Sequence, residues 1–454
     1  MNNEQSIDIK AFIDNRSMSG YQWLALILCF LIVTLDGLDT AIMGFVAPSL
    51  VHDWHITRAA FGPVMSAAMI GLAIGALVAG PSADRIGRRK VLIGSVLCFG
   101  VFSVLCSFAD SPTQMLILRF LTGLGLGAAM PNATTLLSEY LPSPRRSLLL
   151  TIMFTGFNLG SGGGGFAAAW LIPHFGWRAV LMFGGALPLL LVPVLLWLLP
   201  ESARFLLVKQ AATEKIAKVL GRVCGYRFPD SVRFTAPEPH TGTKAAVRVL
   251  FSDGYAFGTL MLWATYFMGL LVIYLLTGWL PTLIKDAGFS IERAASLTGI
   301  FQLGGTVGAI AVGFAMDRMD RNKVIAGAYL LGGVFIFALG VGTLASSMIA
   351  VLIAAAGFFM SGAQTGLNAL APTYYPTRVR ATGVSWMLGI GRFGGILGSL
   401  VGGTLLSLGF TLQSVFSILA VPALLAAVAI VMNRFALRYI VAPLGDAGGR
   451  RVRE

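Results

Sequence analysis

Charge is what this chain has least of. Asp, Glu, Lys and Arg make up 12% of its 454 residues, against roughly 25% in an ordinary soluble domain. A soluble protein of this length presents a largely polar surface, and there are too few charges here to build one. That excludes a water-soluble enzyme and a disordered chain. Cysteine is scarce too, and Cys29, Cys98, Cys106 and Cys224 stand in no CxxC or metal-like spacing. A disulfide scaffold and a zinc module are thereby excluded, leaving free thiols. His52, His55, His174 and His240 lack a second ligand at metal spacing, so neither metal nor cofactor is expected. A phosphate-binding loop is absent as well, which argues against an ATP-driven pump.

Long apolar runs are plentiful. Hydrophobic residues reach 56% and the mean hydropathy is +0.80. A spanning helix needs about 20 mostly apolar residues. Such runs fall near 24–50, 60–83, 89–109, 113–137, 147–171 and 177–199, then near 255–280, 292–316, 322–343, 347–371, 380–406 and 411–433. They are continuous rather than alternating, which predicts helices, not a barrel. The 55 glycines suit helices packed closely in lipid. The polar first 23 residues and the length of the first run argue against a cleavable signal peptide.

A net charge of +13 on so apolar a chain needs an explanation. With the N-terminus in the cytoplasm, 27 of the 33 Lys and Arg fall on the cytoplasmic side. Arg58, Arg178, Lys285 and Arg293 fall on the other side, and Arg119 and Arg392 lie inside apolar runs. This positive-inside bias predicts an inner-membrane protein with both termini cytoplasmic. No aromatic-interleaved basic stretch points to nucleic acid.

The chain repeats itself. The loop after span 2 reads Gly80-Pro81-Ser82-Ala83-Asp84-Arg85-Ile86-Gly87-Arg88-Arg89-Lys90. After span 8, Gly313, Asp317, Arg318, Arg321 and Lys323 recur at a constant offset of 233. A weaker pair, Tyr140 to Arg146 and Tyr375 to Arg380, follows at nearly the same offset. The expected organisation is a tail (1–23), a six-helix bundle (24–200), a cytoplasmic linker (201–252), a second bundle (253–435) and a C-terminal tail (436–454). Within the linker, 202–222 is expected as an amphipathic helix on the membrane surface.

On these motifs the chain resembles the major facilitator superfamily over nearly its whole length. The Asp84-Arg85-x-Gly87-Arg88-Arg89-Lys90 loop is that superfamily's most specific signature, and Arg119 to Gly127 is similar to its second motif. Pro200-Glu201-Ser202-Ala203-Arg204-Phe205-Leu206 resembles the close of span 6 in several symporter families. In span 1, Asp36-Gly37-Leu38-Asp39 is similar to the aromatic acid:proton symporter family. The resemblance implies an all-α membrane protein of 12 helices in two pseudo-symmetric six-helix bundles. It also implies uptake of a benzoate-type carboxylate with protons, by a monomer.

A charge near the bilayer centre costs roughly 2.5–3.5 kcal/mol on an insertion scale, so each is a candidate for function. Asp36 and Asp39 sit near the middle of span 1, three residues apart on nearly one face. Burial favours the neutral form of a carboxyl, and two neighbouring carboxylates repel, which suits a proton carrier. A structural pair satisfied by hydroxyls or an Arg is the bland alternative. Arg392, midway along span 11, offers the planar fork that binds a carboxylate bidentately. A structural ion pair to an intramembrane acid is the alternative. The motif match gives Arg119 a general coupling or helix-positioning role, and Glu139 is assigned to a gate or proton exit, a helix-end ion pair being the alternative for the latter. The family resemblance makes Gly80, Asp84, Arg85, Arg88, Asp317, Arg318 and Arg321 a conformational latch rather than a substrate site; a solvated turn is the alternative.

For the substrate pocket the sequence offers Asn158 and Trp386 beside Arg392, Asp36 and Asp39. Asn132, Gln302, Gln364 and Asn368 are further polar groups within spans, and Trp263, Tyr266, Tyr274, Phe358 and Phe359 are further aromatics. Most such aromatics pack or face lipid. The expected function is proton-coupled uptake of 4-hydroxybenzoate, protocatechuate or benzoate. A symporter of another organic anion (muconate or phenylpropionate type), a sugar-type porter and a non-transporting sensor remain as alternatives.

Overall fold

The computed structural model describes residues 6–228, 232–235, 250–251, 255–341, 346–375 and 380–446. Lys244 and Arg378 of the basic segments, and His240, lie outside the described residues. Among the described residues, regular structure is helical apart from two three-residue strands. β1 is Ser6–Asp8 and β2 is Arg233–Thr235. The short helices are α1 (Ile9–Asp14), α8 (Ala203–Val208) and α9 (Thr213–Cys224). Six long helices precede the linker: α2 (Gly20–Asp53), α3 (Arg58–Ile86), α4 (Arg88–Cys106), α5 (Pro112–Tyr140), α6 (Arg146–Phe175) and α7 (Trp177–Leu198). Six follow it: α10 (Tyr255–Asp286), α11 (Ile291–Arg318), α12 (Arg321–Gly340), α13 (Ser346–Tyr374), α14 (Arg380–Ser407) and α15 (Leu412–Asp446).

Among the described residues, eleven of these are long and apolar enough to cross a membrane. The twelfth, α6, has 30 residues; its run Gly162–Gly165, with Gly156, Gly160 and Asn158, dilutes the hydropathy. Several helices run past their expected ends. α2, at 34 residues, is about 50 Å long at 1.5 Å per residue, beyond the ~30 Å hydrocarbon core. Hydropathy marks only the apolar part of such a helix, so the polar turns at each end are not legible from it.

The chain divides into two compact units, one of residues 1–42, 67–167 and 171–240, the other of 43–66, 168–170 and 241–454. Within the first, α4 packs on α5 and α7. Within the second, α10 packs on α14 and α15, α11 on α13, and α12 on α13 and α15. The end of α2 and start of α3 belong to this second unit because they pack on α10. A Cβ on Gly44 would collide with the Thr277 carbonyl oxygen. Phe61 meets Trp279 edge-on at 6.5 Å, and Arg58 pairs with Asp286.

The repeat of 233 residues extends into the packing. Gly71 and Gly75 of α3 lie directly on the Phe120 and Leu124 carbonyls of α5, where a side chain would clash. Their counterparts in the repeat, Gly304 and Gly308 of α11, lie in the same way on the Ala354 and Phe358 carbonyls of α13. Only glycine allows backbones this close, and in lipid such contact replaces the hydrophobic drive that helices lack there.

The linker corrects one expectation. Residues 202–222 do not form one helix on the membrane surface. They form α8 and α9, and α9 turns its apolar face, Ile216, Leu220 and Val223, into protein. The partner is the N-terminal segment. β1 pairs in parallel with β2, Ile9 and Ile13 are buried in the same core, and the Arg16 guanidinium lies 4.3 Å from the ring centroids of both Phe12 and Tyr226. Asp14 accepts hydrogen bonds from the Ser143 N–H at 2.7 Å and its hydroxyl at 2.8 Å. An apolar stripe reads the same whether lipid or protein covers it, so sequence alone did not separate the two.

Candidate functional site

In the first unit, α2, α4 and α5 bring three buried polar residues together. Asp39 and Arg119 are 0% and 1% exposed. Arg119 Nη2 lies 2.9 Å from Asp39 Oδ2 and 3.0 Å from the Asp39 carbonyl oxygen, and Nη1 lies 3.3 Å from Oδ1. The Ser103 hydroxyl donates to the same Oδ1 at 2.6 Å. A buried ion pair survives its desolvation only with good geometry and further hydrogen bonds. Both are present here, and the fork contributes two parallel bonds. Arg119 Nε has no hydrogen-bond partner among the described residues.

The two aspartates of the Asp36-Gly37-Leu38-Asp39 motif are therefore not equivalent. Asp39 carries the countercharge. Asp36, 2% exposed, takes a 3.4 Å contact from the Thr40 hydroxyl among its interactions. The pairing of Asp39 with Arg119 was not legible in the sequence, because the motif and Arg119 lie 80 residues apart. Ser103 was missed altogether; a serine in an apolar run carries no signal of its own.

A second network ties the ends of α4 and α5 to the start of α8. Arg88 lies 3.0 Å from Asp84 and 3.7 Å from Glu139. Glu139 also accepts from the Ser202 hydroxyl. The Glu201 carboxylate accepts the backbone N–H groups of Arg89 at 3.1 Å and Ser202 at 2.9 Å, so it caps the start of α4 from outside the helix. Gly87 makes this possible, since its φ is +108° and a Cβ there would collide with Glu201 Oε2. The second copy of the loop solves the same problem locally. Asp320, which stands where Gly87 does in the first copy, caps α12 by accepting the Lys323 N–H at 3.1 Å. It also pairs with Arg434 at 3.0 Å. Burial works to raise the Asp320 carboxyl, but the Lys323 N–H and the Arg434 charge outweigh it and hold the group below its usual value. The repeat therefore conserves the loop but not its contacts. Asp317 and Arg321 are exposed, and Arg318 lies 3.7 Å over the Phe314 ring. In the first copy, Gly80 and Arg85 are exposed as well.

In the second unit, Arg392 on α14 is half-buried and close to Tyr266 of α10, whose hydroxyl lies against Gln364 and Asn368 of α13. Trp386, six residues before Arg392, stacks on Trp263 with centroids 5.9 Å apart and planes 15° apart. Elsewhere in that unit Gln302 donates to the Thr277 hydroxyl at 2.9 Å. Asn158 is half-buried on α6 in the first unit, and Asn132 donates back to the Ala128 carbonyl of its own helix at 2.7 Å. All four cysteines are free, and burial pushes the Cys224 thiol up to about 11.

The Major Facilitator Superfamily profile matches residues 29–341 and, a second time, 293–447. The chain is 63% identical over 427 residues to a gallate transporter of Pseudomonas putida, covering 94% of this chain and 95% of that one. It is 53% identical over 430 residues to the 4-hydroxybenzoate transporter PcaK of the same species, covering 94% and 96%. Among solved structures, an inward-open conformation of the xylose transporter XylE from E. coli superimposes with a TM-score of 0.70 at 18% identity, covering 90% of this chain and 95% of that one.

Proposed function

The chain belongs to the major facilitator superfamily, and on that premise we propose that it takes up a small aromatic carboxylate together with protons, by alternating access. The substrates proposed are benzoates such as 4-hydroxybenzoate, protocatechuate or benzoate itself. The names of its relatives, a gallate transporter and a 4-hydroxybenzoate transporter, support the aromatic acid. Arg392 supports the carboxylate, since an acid ionised at neutral pH needs a cationic anchor.

The observation that carries the coupling is the buried Asp39–Arg119 pair with its Ser103 donor. A proton added to the Asp39 carboxylate removes one of two charges held together out of water. The guanidinium then loses its countercharge and its best acceptors, and the helices that carry the two groups lose the contact that joins them. The pair is thus an element with two states that one proton selects between. Asp36, three residues earlier, supplies the neighbouring carboxylate of the same proton site. Glu139, held by Arg88 and Ser202, is the proposed exit, and the Asp84–Arg88 loop with its second copy remains the proposed latch. The halves of the transporter are proposed as residues 24–200 and 253–435, in the inner membrane with both termini cytoplasmic, supported by the 27 basic residues on that side.

The test is uptake of labelled 4-hydroxybenzoate by proteoliposomes under an imposed inward proton gradient, competed with benzoate, muconate and xylose. Accumulation against the substrate gradient, blocked by benzoate and not by xylose, is the expected result. Uptake that ignores the proton gradient would remove the symport.

A further inference from the structure

Resting on the reading that an aromatic acid is held at Arg392, we infer that Gln364, together with Tyr266 and Asn368, recognises a ring hydroxyl of that acid. The preferred substrates are then hydroxylated benzoates rather than benzoate itself.

The argument starts from Tyr329 on α12, which is 0% exposed. Its hydroxyl donates to Gln364 Oε1 at 2.7 Å. A carboxamide whose oxygen is held in this way presents its NH₂ on the other side as a fixed donor. Gln364 is 7% exposed, and its Nε2 has no hydrogen-bond partner among the described residues. The amide keeps this position because α10 gives it room. A Cβ at Gly269 would collide with Gln364 Oε1 and crowd the Tyr329 hydroxyl.

The groups around that NH₂ are graded in exposure. Tyr266, 6% exposed, lies near Gln364, Asn368 and Arg392. Asn368, one turn further on the same face of α13, is exposed, and Arg392 is half-buried. An approaching anion meets Arg392 and Asn368 first, with the oriented amide and phenol behind them.

Their chemistry separates two oxygen groups a substrate could offer. A carboxylate only accepts hydrogen bonds, so the acceptor atoms of Tyr266 and Asn368 add nothing to its binding. A phenolic hydroxyl both donates and accepts, and it matches a cluster of one oriented donor and two groups that can do either. A site built to bind a hydroxyl also discriminates against the analogue that lacks one, because its own polar groups are then left unpaired.

The experiment compares uptake of 4-hydroxybenzoate and benzoate by the full-length reconstituted chain and its Gln364→Leu and Asn368→Ala variants. Wild type should prefer 4-hydroxybenzoate. Gln364→Leu should lower that preference about tenfold, the scale of one hydrogen bond, with the yield of monodisperse protein in detergent as the control of folding. Asn368→Ala, at an exposed position, should act in the same direction. An unchanged preference in both variants, or equal losses for both substrates, overturns the hydroxyl assignment. Wild type that takes up benzoate as well as 4-hydroxybenzoate overturns that assignment alone, leaving the aromatic-acid reading standing. Wild type that takes up neither overturns both.

Discussion

At the scale of single residues, the account turns on how Asp39 and Arg119 share a buried environment. Neither is exposed, and their geometry is bidentate. Removing one partner leaves an uncompensated charge, at a cost of about 3–5 kcal/mol, whereas removing both leaves none. Asp39→Ala and Arg119→Ala should each lower the unfolding free energy of the purified protein by about that much. The double variant should lose far less than the sum. Thermal unfolding in detergent measures the cycle, and additive losses would contradict the pairing. The charges themselves were legible in the sequence, since an Asp or Arg within an apolar run stands out against its neighbours. Their partners were not. Ser103 and Tyr329 are ordinary residues of apolar helices, and only folding brings them to Asp39 and Gln364. Glu201 was visible as part of its motif, but its capping of a distant helix start was not.

At the scale of elements, helix positions followed from hydropathy, while helix ends and the cover on the linker did not. The N-terminal segment and the linker are one folded piece, joined by the β1–β2 pairing and by Asp14 on Ser143. Burial raises the Asp14 carboxyl, but the Ser143 hydrogen bonds and the charges of Arg146 and Lys10 outweigh it and hold the group below its ordinary value of 3.8. A lowered value means that the bond stabilises fully above pH 3.8, and that the contribution disappears as pH falls through the lowered value. Asp14→Asn should therefore destabilise by no more than about 1 kcal/mol at neutral pH, the group being solvent-screened. The gap from wild type should close as pH falls through the lowered value. Limited proteolysis of the N-terminal segment across that range reads it, and a gap that is the same at both ends would contradict the role of the charge. The glycines at 71, 75, 304 and 308 make the complementary point. The loop motif revealed the duplication, and the backbone contacts carry the same offset deeper into each unit.

At the scale of the whole molecule, the net charge of +13 and the function are separate matters. Most basic residues set the proposed orientation, while transport is assigned to the few charges that the apolar helices enclose. The same division explains what two copies of one motif can do. They share a loop at one offset, yet Glu201 caps α4 where Asp320 caps α12, so the halves have diverged in detail while keeping a plan. The most direct test of proton coupling at Asp39 separates exchange from accumulation. In proteoliposomes carrying Asp39→Asn, the account predicts that counterflow of labelled 4-hydroxybenzoate persists while accumulation driven by a proton gradient is lost. Accumulation at the wild-type level in that variant would contradict it.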